Sequence, residues 1–512
     1  MMQSEKTIQK IVIVGGGTAG WMTAAALSRY LPQAGYSIEL VESDEIGTVG
    51  VGEATIPGIR DFNQKLGISE SEFMRATNAT FKLGIQFVNW ADQGDAYIHP
   101  FGYYGHDLNE LSFYHYWLKA RNYGLTDDFG TFCIAHRAAE KGKFEFPNSD
   151  PRSPLSRFFY AFHFDAGLYA KFLRSYSEKN GVTRTEGKVE NIVQDEQSGL
   201  IKSISLSSGK SISGDLFIDC SGFRGMLIEG VYKAGYHDWS HWLPCDRAIA
   251  VPCDLNQAPI PYTRATAHEA GWQWRIPLQN RIGNGMVFSS SFWGADAAEN
   301  KLLENLDGKP AAETRLLKFV TGRRKKFWVK NCVAVGLSSG FLEPLESTSI
   351  HLIQTSIMKL VSFFPQRHSC EPEIESYNRE MAAQFDQVKD FLILHYKATN
   401  REDSEFWRYC KNMSIPDSLS HKLALFEENG HIVDCQHEIF VETNWAAVLL
   451  GQKVSPKRYH PKVDALSQQQ LMTMMMQMKT FVENFTEQMR PHETALKGDC
   501  LSSAAQAWSK SQ

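Results

Sequence analysis

Lys10-Ile11-Val12-Ile13-Val14 runs without interruption into Gly15-Gly16-Gly17-Thr18-Ala19-Gly20, and this junction limits the fold more than any other stretch of the chain. A short β-branched run with no polar alternation reads as a strand buried on both faces, which means a parallel sheet. Gly15 permits the tight turn that follows. Gly17 lets backbone approach a pyrophosphate, and Gly20 lets the next helix pack closely with its N-terminus toward the phosphates. Trp21 to Leu31, with Ala24, Ala25 and Ala26 for close packing, reads as that helix, and Pro32 stops it. Tyr36 to Val41 is the second strand. Glu42 closes it, 22 residues past Gly20, where an acid binds a ribose hydroxyl. The unit is β-α-β with a right-handed crossover. Alone, the glycines would suit a turn in another α/β fold; with strand, helix and Glu42 around them they predict a dinucleotide site.

The remaining sequence excludes several classes. Among 512 residues the formal net charge is −5, so no basic excess points to nucleic acid or an anionic membrane. The nine cysteines are odd in number and show neither C-x-x-C nor zinc spacing, which predicts reduced thiols and no metal. No run of 18 apolar residues predicts a membrane span, and the polar residues 1–10 do not read as a signal peptide, so the expectation is a cytoplasmic protein.

Along the chain, residues 49–57 form a glycine-punctuated loop and residues 92–130 an aromatic, loop-like stretch. Asp61 to Leu66, Ser69 to Thr77 and Phe159 to Glu178 are predicted helices. Lys188 to Ile204, Ser211 to Asp219 and Cys332 to Val335 read as strands. From about Ser347 the character turns helical: Ile350 to Phe364 and Glu373 to Tyr396 have helical spacing. The methionines of Leu471 to Met478 read as core packing. The expected architecture is α/β, with a domain over residues 1–365 and a mainly helical domain over 366–512.

Further motifs narrow the chemistry. The apolar strand ending in Asp219-Cys220-Ser221-Gly222 resembles the later flavin motif of hydroxylase-like flavoproteins. Val335 to Thr348 fits a second flavin-contacting turn, with Ser347 or Thr348 as cap of the next helix. In Gly271-Trp272-Gln273-Trp274-Arg275-Ile276-Pro277, Trp272 and Trp274 fall on one face of a strand and make a bulky wall. Core packing explains most tryptophans, but it does not call for this run. Lys82, among Thr80, Phe81 and Leu83, would ordinarily snorkel to solvent. Glu346 would ordinarily be a charge at a helix N-terminus. His99-Pro100-Phe101-Gly102 would ordinarily be a turn.

Taken together, the glycine fingerprint and Trp-x-Trp-x-Ile-Pro resemble the flavin-dependent halogenases, typified by tryptophan halogenases, from Gly15 to about Trp445. The resemblance implies a doubly wound, hydroxylase-like FAD-binding fold with an additional β-sheet, its helical domain covering the substrate site. It implies FAD contacts at Gly15, Gly16, Gly17, Thr18, Ala19, Gly20, Glu42, Glu45, Thr48, Gly50, Glu53, Val189, Leu337 and Ile350. Reduced FAD would come from a separate flavin reductase, and the wall would keep substrate from the flavin so that the oxidant meets a halide ion. Chloride or bromide would bind at Thr348 and Ser349, where many relatives have Gly at the second position. Lys82 and Glu346 would be catalytic: Lys82 would handle hypohalous acid by hydrogen bonding or as a haloamine, and Glu346 would take the arenium proton. His99, Phe101, Trp272, Trp274 and Trp445 would line the substrate pocket. Homodimerisation is left open.

The match thins after residue 410. Tryptophan halogenases carry a Tyr-Tyr pair with a nearby Glu and Phe that hold the amino acid's carboxylate and amine. Here Phe426 to His431 and Phe440 to Trp445 contain no such pair. Indole, an indole derivative or another electron-rich arene is therefore the expected substrate. Tryptophan itself and an aromatic flavin monooxygenase are the alternatives.

Overall fold

The structure is a computed structural model, and residues 7–32, 34–45, 52–368, 370–433 and 438–497 are described. It divides into two compact units. The first comprises residues 1–77, 164–240 and 319–386, and the second residues 78–163, 241–318 and 387–512. The expected boundary at residue 365 thus falls inside one segment of the first unit. Both units gather strands from distant parts of the chain, and linear composition carries no trace of such pairing.

In the first unit, Lys10–Val14 lies centrally in a six-stranded sheet, parallel to both Leu216–Asp219 and Ser37–Glu42. Thr183–Glu186 and Cys332–Ala334 extend it in parallel, and Trp328–Val329 adds an antiparallel edge. Ile11 to Val14 are buried, as a strand covered on both faces requires. Asp215 fixes the entry, its Oδ2 accepting from Gln9 N and Lys10 N at 3.1 and 2.9 Å. The helix Thr18–Tyr30 presents Ala24, Ala25 and Ala26 wholly buried.

The second unit holds a seven-stranded sheet in the order Arg315–Lys318, Arg247–Cys253, Ile282–Phe288, Gly271–Pro277, Thr263–His268, Gly84–Val88, Ala96–Pro100. All its pairings are antiparallel except Thr263–His268 with Gly84–Val88. The same unit holds the helices Glu405–Asn412, Asp417–Asn429, Glu442–Gly451 and Gln468–Gln488, of which Glu442–Gly451 packs on Ala96–Pro100.

Three local expectations change. Phe159 to Glu178 is not one helix: Ala161–Asp165 is a strand, and the helix is Ala166–Lys179. A fully buried strand has no alternation to show; the boundary signal is Asp165, whose Oδ1 accepts from Leu168 N at 3.0 Å. Within residues 92–130, Ala96–Pro100 is a strand and Phe113–Asn122 a helix, which is buried over most of its length and so shows no helical alternation of apolar and polar residues. Of the methionine run, Met475 is buried but Met476 is 62% exposed, so only part of it is core.

Candidate functional site

The glycine turn of the first unit is shaped by what cannot fit there. Gly15 has φ +116°, and a Cβ on it would stand 2.2 Å from Cys220 O. A Cβ on Gly16 would stand 1.5 Å from Glu42 Oε2, and one on Gly20 1.9 Å from Gly15 O. Gly17, by contrast, faces open space, with nothing within 4 Å. It is the N-cap of Thr18–Tyr30, and no side chain caps that helix. Open space in front of uncapped backbone N–H groups suits a pyrophosphate. Glu42 ends its strand with Oε1 held by Arg184 Nε at 2.6 Å and Oε2 against the turn, so the carboxylate is fixed where a ribose hydroxyl would meet it. These residues fit a flavin dinucleotide. Gly15→Ala is expected to cost about 2–3 kcal/mol, because backbone meets backbone at a left-handed φ. A lowered urea midpoint together with weakened FAD binding would check this.

The other flavin expectations are distributed around the same unit. Glu53, in Gly52–Ala54, has a carboxyl pushed up to about 7 by burial. Glu45 is exposed and Val189 begins the strand Val189–Gln194. Leu337 sits in the short turn Gly336–Ser338, and Ile350 in the helix Ser349–Ser362. Thr48 and Gly50 lie outside the described residues. Asp219 is fully employed in its own turn: Oδ1 accepts from Ser221 N and Oγ, and Oδ2 from Leu227 N and Ile228 N, at 2.6–3.0 Å.

Glu346, Ser347 and Thr348 are buried at the entrance to Ser349–Ser362. Ser347 adopts φ +59°. Thr348 takes the N-cap position, but its hydroxyl does not cap the helix: Oγ1 is buried and has no hydrogen-bond partner. Thr348 therefore does not supply the expected cap, and its unsatisfied hydroxyl lies beside the first-turn N–H groups. That set matches a small anion.

In the second unit, Lys82 ends the strand Thr80–Lys82 at 0% exposure, with Nζ 5.2 Å from the Phe101 ring centroid. Phe101 follows the strand Ala96–Pro100, where His99 is paired with Ile85. Trp272 and Trp274 share one face of Gly271–Pro277, their rings 6.2 Å apart at 60°. Both are buried, and Trp274 lies over Gly285 on the next strand, where a Cβ would stand 2.1 Å from its ring. Trp445, on Glu442–Gly451, contacts Phe391 edge-on at 5.1 Å, and Phe391 lies 5.7 Å from His99. The structure thus joins Lys82 to Phe101, and His99 to Trp445 through Phe391. Lys82 belongs to the second unit and Glu346 to the first.

Two side chains escaped the sequence reading. Asn444 accepts from Val441 N through Oδ1 at 2.9 Å, which turns its Nδ2 toward His99 Nε2, also at 2.9 Å. His163, wholly buried, lies across from Thr80 on the neighbouring strand. Asn444 three residues beyond Val441 has N-cap-box spacing and so carried a weak signal; His163 carried none.

Among the described residues, no group of side chains could hold a metal ion, and no helix is long and apolar enough to cross a membrane. Comparison with known proteins fits the geometry. Residues 10–468 match the family described as tryptophan halogenase. The chain is 38% identical over 444 residues to the tryptophan 6-halogenase ThaL of Streptomyces albogriseolus, 82% of each chain. A flavin-dependent halogenase from Xanthomonas campestris superposes with TM-score 0.92 at 47% identity, covering 96% of this chain and 98% of that one. BrvH, a flavin-dependent halogenase from Brevundimonas sp. BAL3, does so with TM-score 0.92 at 44% identity, again covering 96% and 98%. With a family match along most of its length and relatives this similar, the chain belongs to the tryptophan halogenase family.

Proposed function

We propose that this protein halogenates an electron-rich arene, indole or an indole derivative, using reduced FAD from a separate reductase, O2 and chloride or bromide. The observation that carries the reading is Lys82: a lysine without solvent exposure, set against Phe101 in the unit that also presents the Trp272–Trp274 pair. Burying an ammonium costs several kcal/mol, which a purely structural site would avoid with an apolar residue of similar size.

Bound reduced FAD, with O2, supplies the oxidising equivalent that converts halide to an electrophile. Gly17 and the uncapped start of Thr18–Tyr30 hold its phosphates, and Glu42 its ribose. Thr348 and Ser349 hold the halide by backbone N–H groups and the free Thr348 hydroxyl. The Trp272 and Trp274 rings exclude the arene from the flavin. Lys82 Nζ hydrogen-bonds the oxygen of hypohalous acid and so directs its halogen at the ring. As the carbon–halogen bond forms, the halogen–oxygen bond breaks. The oxygen leaves as water after gaining a proton, and Glu346 takes the proton lost by the ring carbon. The roles given to Lys82 and Glu346 rest on the resemblance of their sequence segments to the halogenases.

The substrate class rests on what residues 426–445 lack. No Tyr-Tyr pair is present to grip an amino acid, and Asn444 is turned toward His99. Mass spectrometry of indole and of tryptophan, each incubated with the protein, FAD, a flavin reductase, NADH, O2 and chloride or bromide, tests this. The expected result is a halogen isotope pattern on indole at a yield about tenfold or more above tryptophan, the scale of one lost charge-assisted contact. Preferential halogenation of tryptophan would overturn the substrate class. A product carrying one added oxygen would overturn the reaction class in favour of a monooxygenase.

A further inference from the structure

Around Lys82 every proton in one buried hydrogen-bond chain can be placed. Thr80 and Lys82 lie on the same face of their strand, which pairs antiparallel with residues 161–163: Thr80 opposite His163, Lys82 opposite Ala161. Thr80 Oγ1 donates its one proton to Pro277 O at 2.7 Å. Toward His163 Nδ1, 3.0 Å away, it must therefore accept, so Nδ1 carries a proton. The other ring nitrogen, Nε2, lies 2.9 Å from Thr263 Oγ1. Burial, followed by the nearby charges of Lys82, His492 and Arg275, holds His163 well below the usual histidine range. A neutral ring has one proton, already assigned to Nδ1, so Nε2 accepts from the Thr263 hydroxyl. His163, Thr80 and Thr263 are all buried.

The chain of bonds spans four strands, that of His163 and three others. Pro277 ends the strand that carries Trp272 and Trp274, Thr263 begins the strand beside it, and Thr80 lies two residues from Lys82. We propose that His163 is a positioning residue: a neutral, doubly hydrogen-bonded ring that fixes the strand of Lys82 against the end of the tryptophan-bearing strand. The inference rests on the proposed halogenation, since it gives Lys82 a task that depends on placement. Misplacement by about an ångström costs on the order of a hundredfold in a reaction governed by proximity. A loosened Lys82 strand would let hypohalous acid depart before it meets the arene.

The readout is arene halogenated per flavin oxidised, with escaping hypohalous acid captured by an added thioether. In His163→Leu the ratio is expected to fall about tenfold or more, with a matching rise in trapped oxidant and with unchanged FAD affinity. His163→Asn, which keeps a donor toward Thr80, restores part of it. Thr80→Val lowers the ratio too, and the double variant is no worse than His163→Leu alone, because both cut one chain. Leu302→Ala, a core truncation elsewhere in the unit, loses stability but keeps the ratio. A second readout needs no catalysis: the rate at which an amine-selective acylating reagent modifies Lys82 rises in His163→Leu and not in Leu302→Ala. A ratio within twofold of wild type in His163→Leu, or additive losses in the double variant, overturns the proposal. If the wild-type protein halogenates no arene while acylation of Lys82 still responds to His163→Leu, the placement stands and the halogenation reading fails instead.

Discussion

Lys82→Met is expected to abolish halogenation while the protein continues to bind FAD and to consume reduced flavin. Methionine keeps the length of the lysine stem and removes its charge, so packing against Phe101 survives. What disappears is a hydrogen-bonding cation in a buried position, where such a group acts far more strongly than at a surface. Removing it should lower product formation by roughly 10²–10⁴-fold. Thermal denaturation should change by only a few degrees, since a buried ammonium is costly to keep. Product formation, flavin oxidation and Tm, measured on the same preparation, check all three statements. Halogenation within threefold of wild type would remove Lys82 from the mechanism.

The second large effect concerns pH. Burial pushes His115, His268, His351 and His492 down to about 4, and His163 is held low as well. In the unfolded chain each titrates near 6.5. Between about pH 6.5 and 4 the unfolded chain therefore binds protons that the folded one refuses, and stability falls as pH falls. Each group contributes about 1.4 kcal/mol per pH unit across that window. Glu53, raised to about 7, works the other way: the folded state binds its proton first, which offsets one histidine. For the four histidines held near 4, less the one offset by Glu53, the net loss is about 4 kcal/mol per pH unit within that window. Against a total stability of about 5–15 kcal/mol, cooperative unfolding is expected near pH 5. Circular dichroism and tryptophan fluorescence from pH 8 to 4 would show it, and a fully native signal at pH 4 would contradict it.

How far the sequence led depended on whether a feature was local. The turn from Lys10 to Gly20 was legible because each glycine answers a short-range demand, from Cys220 O, from Glu42 or from Gly15 O. The shared face of Trp272 and Trp274 was legible because strand alternation is local too. The strand Ala161–Asp165 was not, because a run buried on both faces shows no period and adjoins a genuine helix. His163 was invisible for another reason. Its significance lies in Thr80, Thr263 and Pro277, which are brought to it from 83, 100 and 114 residues away. The same holds for the two units, whose segments alternate along the chain.

That alternation has a consequence for how the protein is made. The parallel sheet needs Cys332–Ala334 beside Leu216–Asp219 and Lys10–Val14, so the first strand to leave the ribosome waits more than 300 residues for its sheet to be complete. Until then, apolar edges that the finished protein covers stand open to other chains. Synthesis at about 5–20 residues per second makes that wait tens of seconds, long enough for nascent chains to associate. Added chaperone capacity, or a lower expression level so that fewer nascent chains coexist, should therefore raise the recovered yield more than any change to the mature surface.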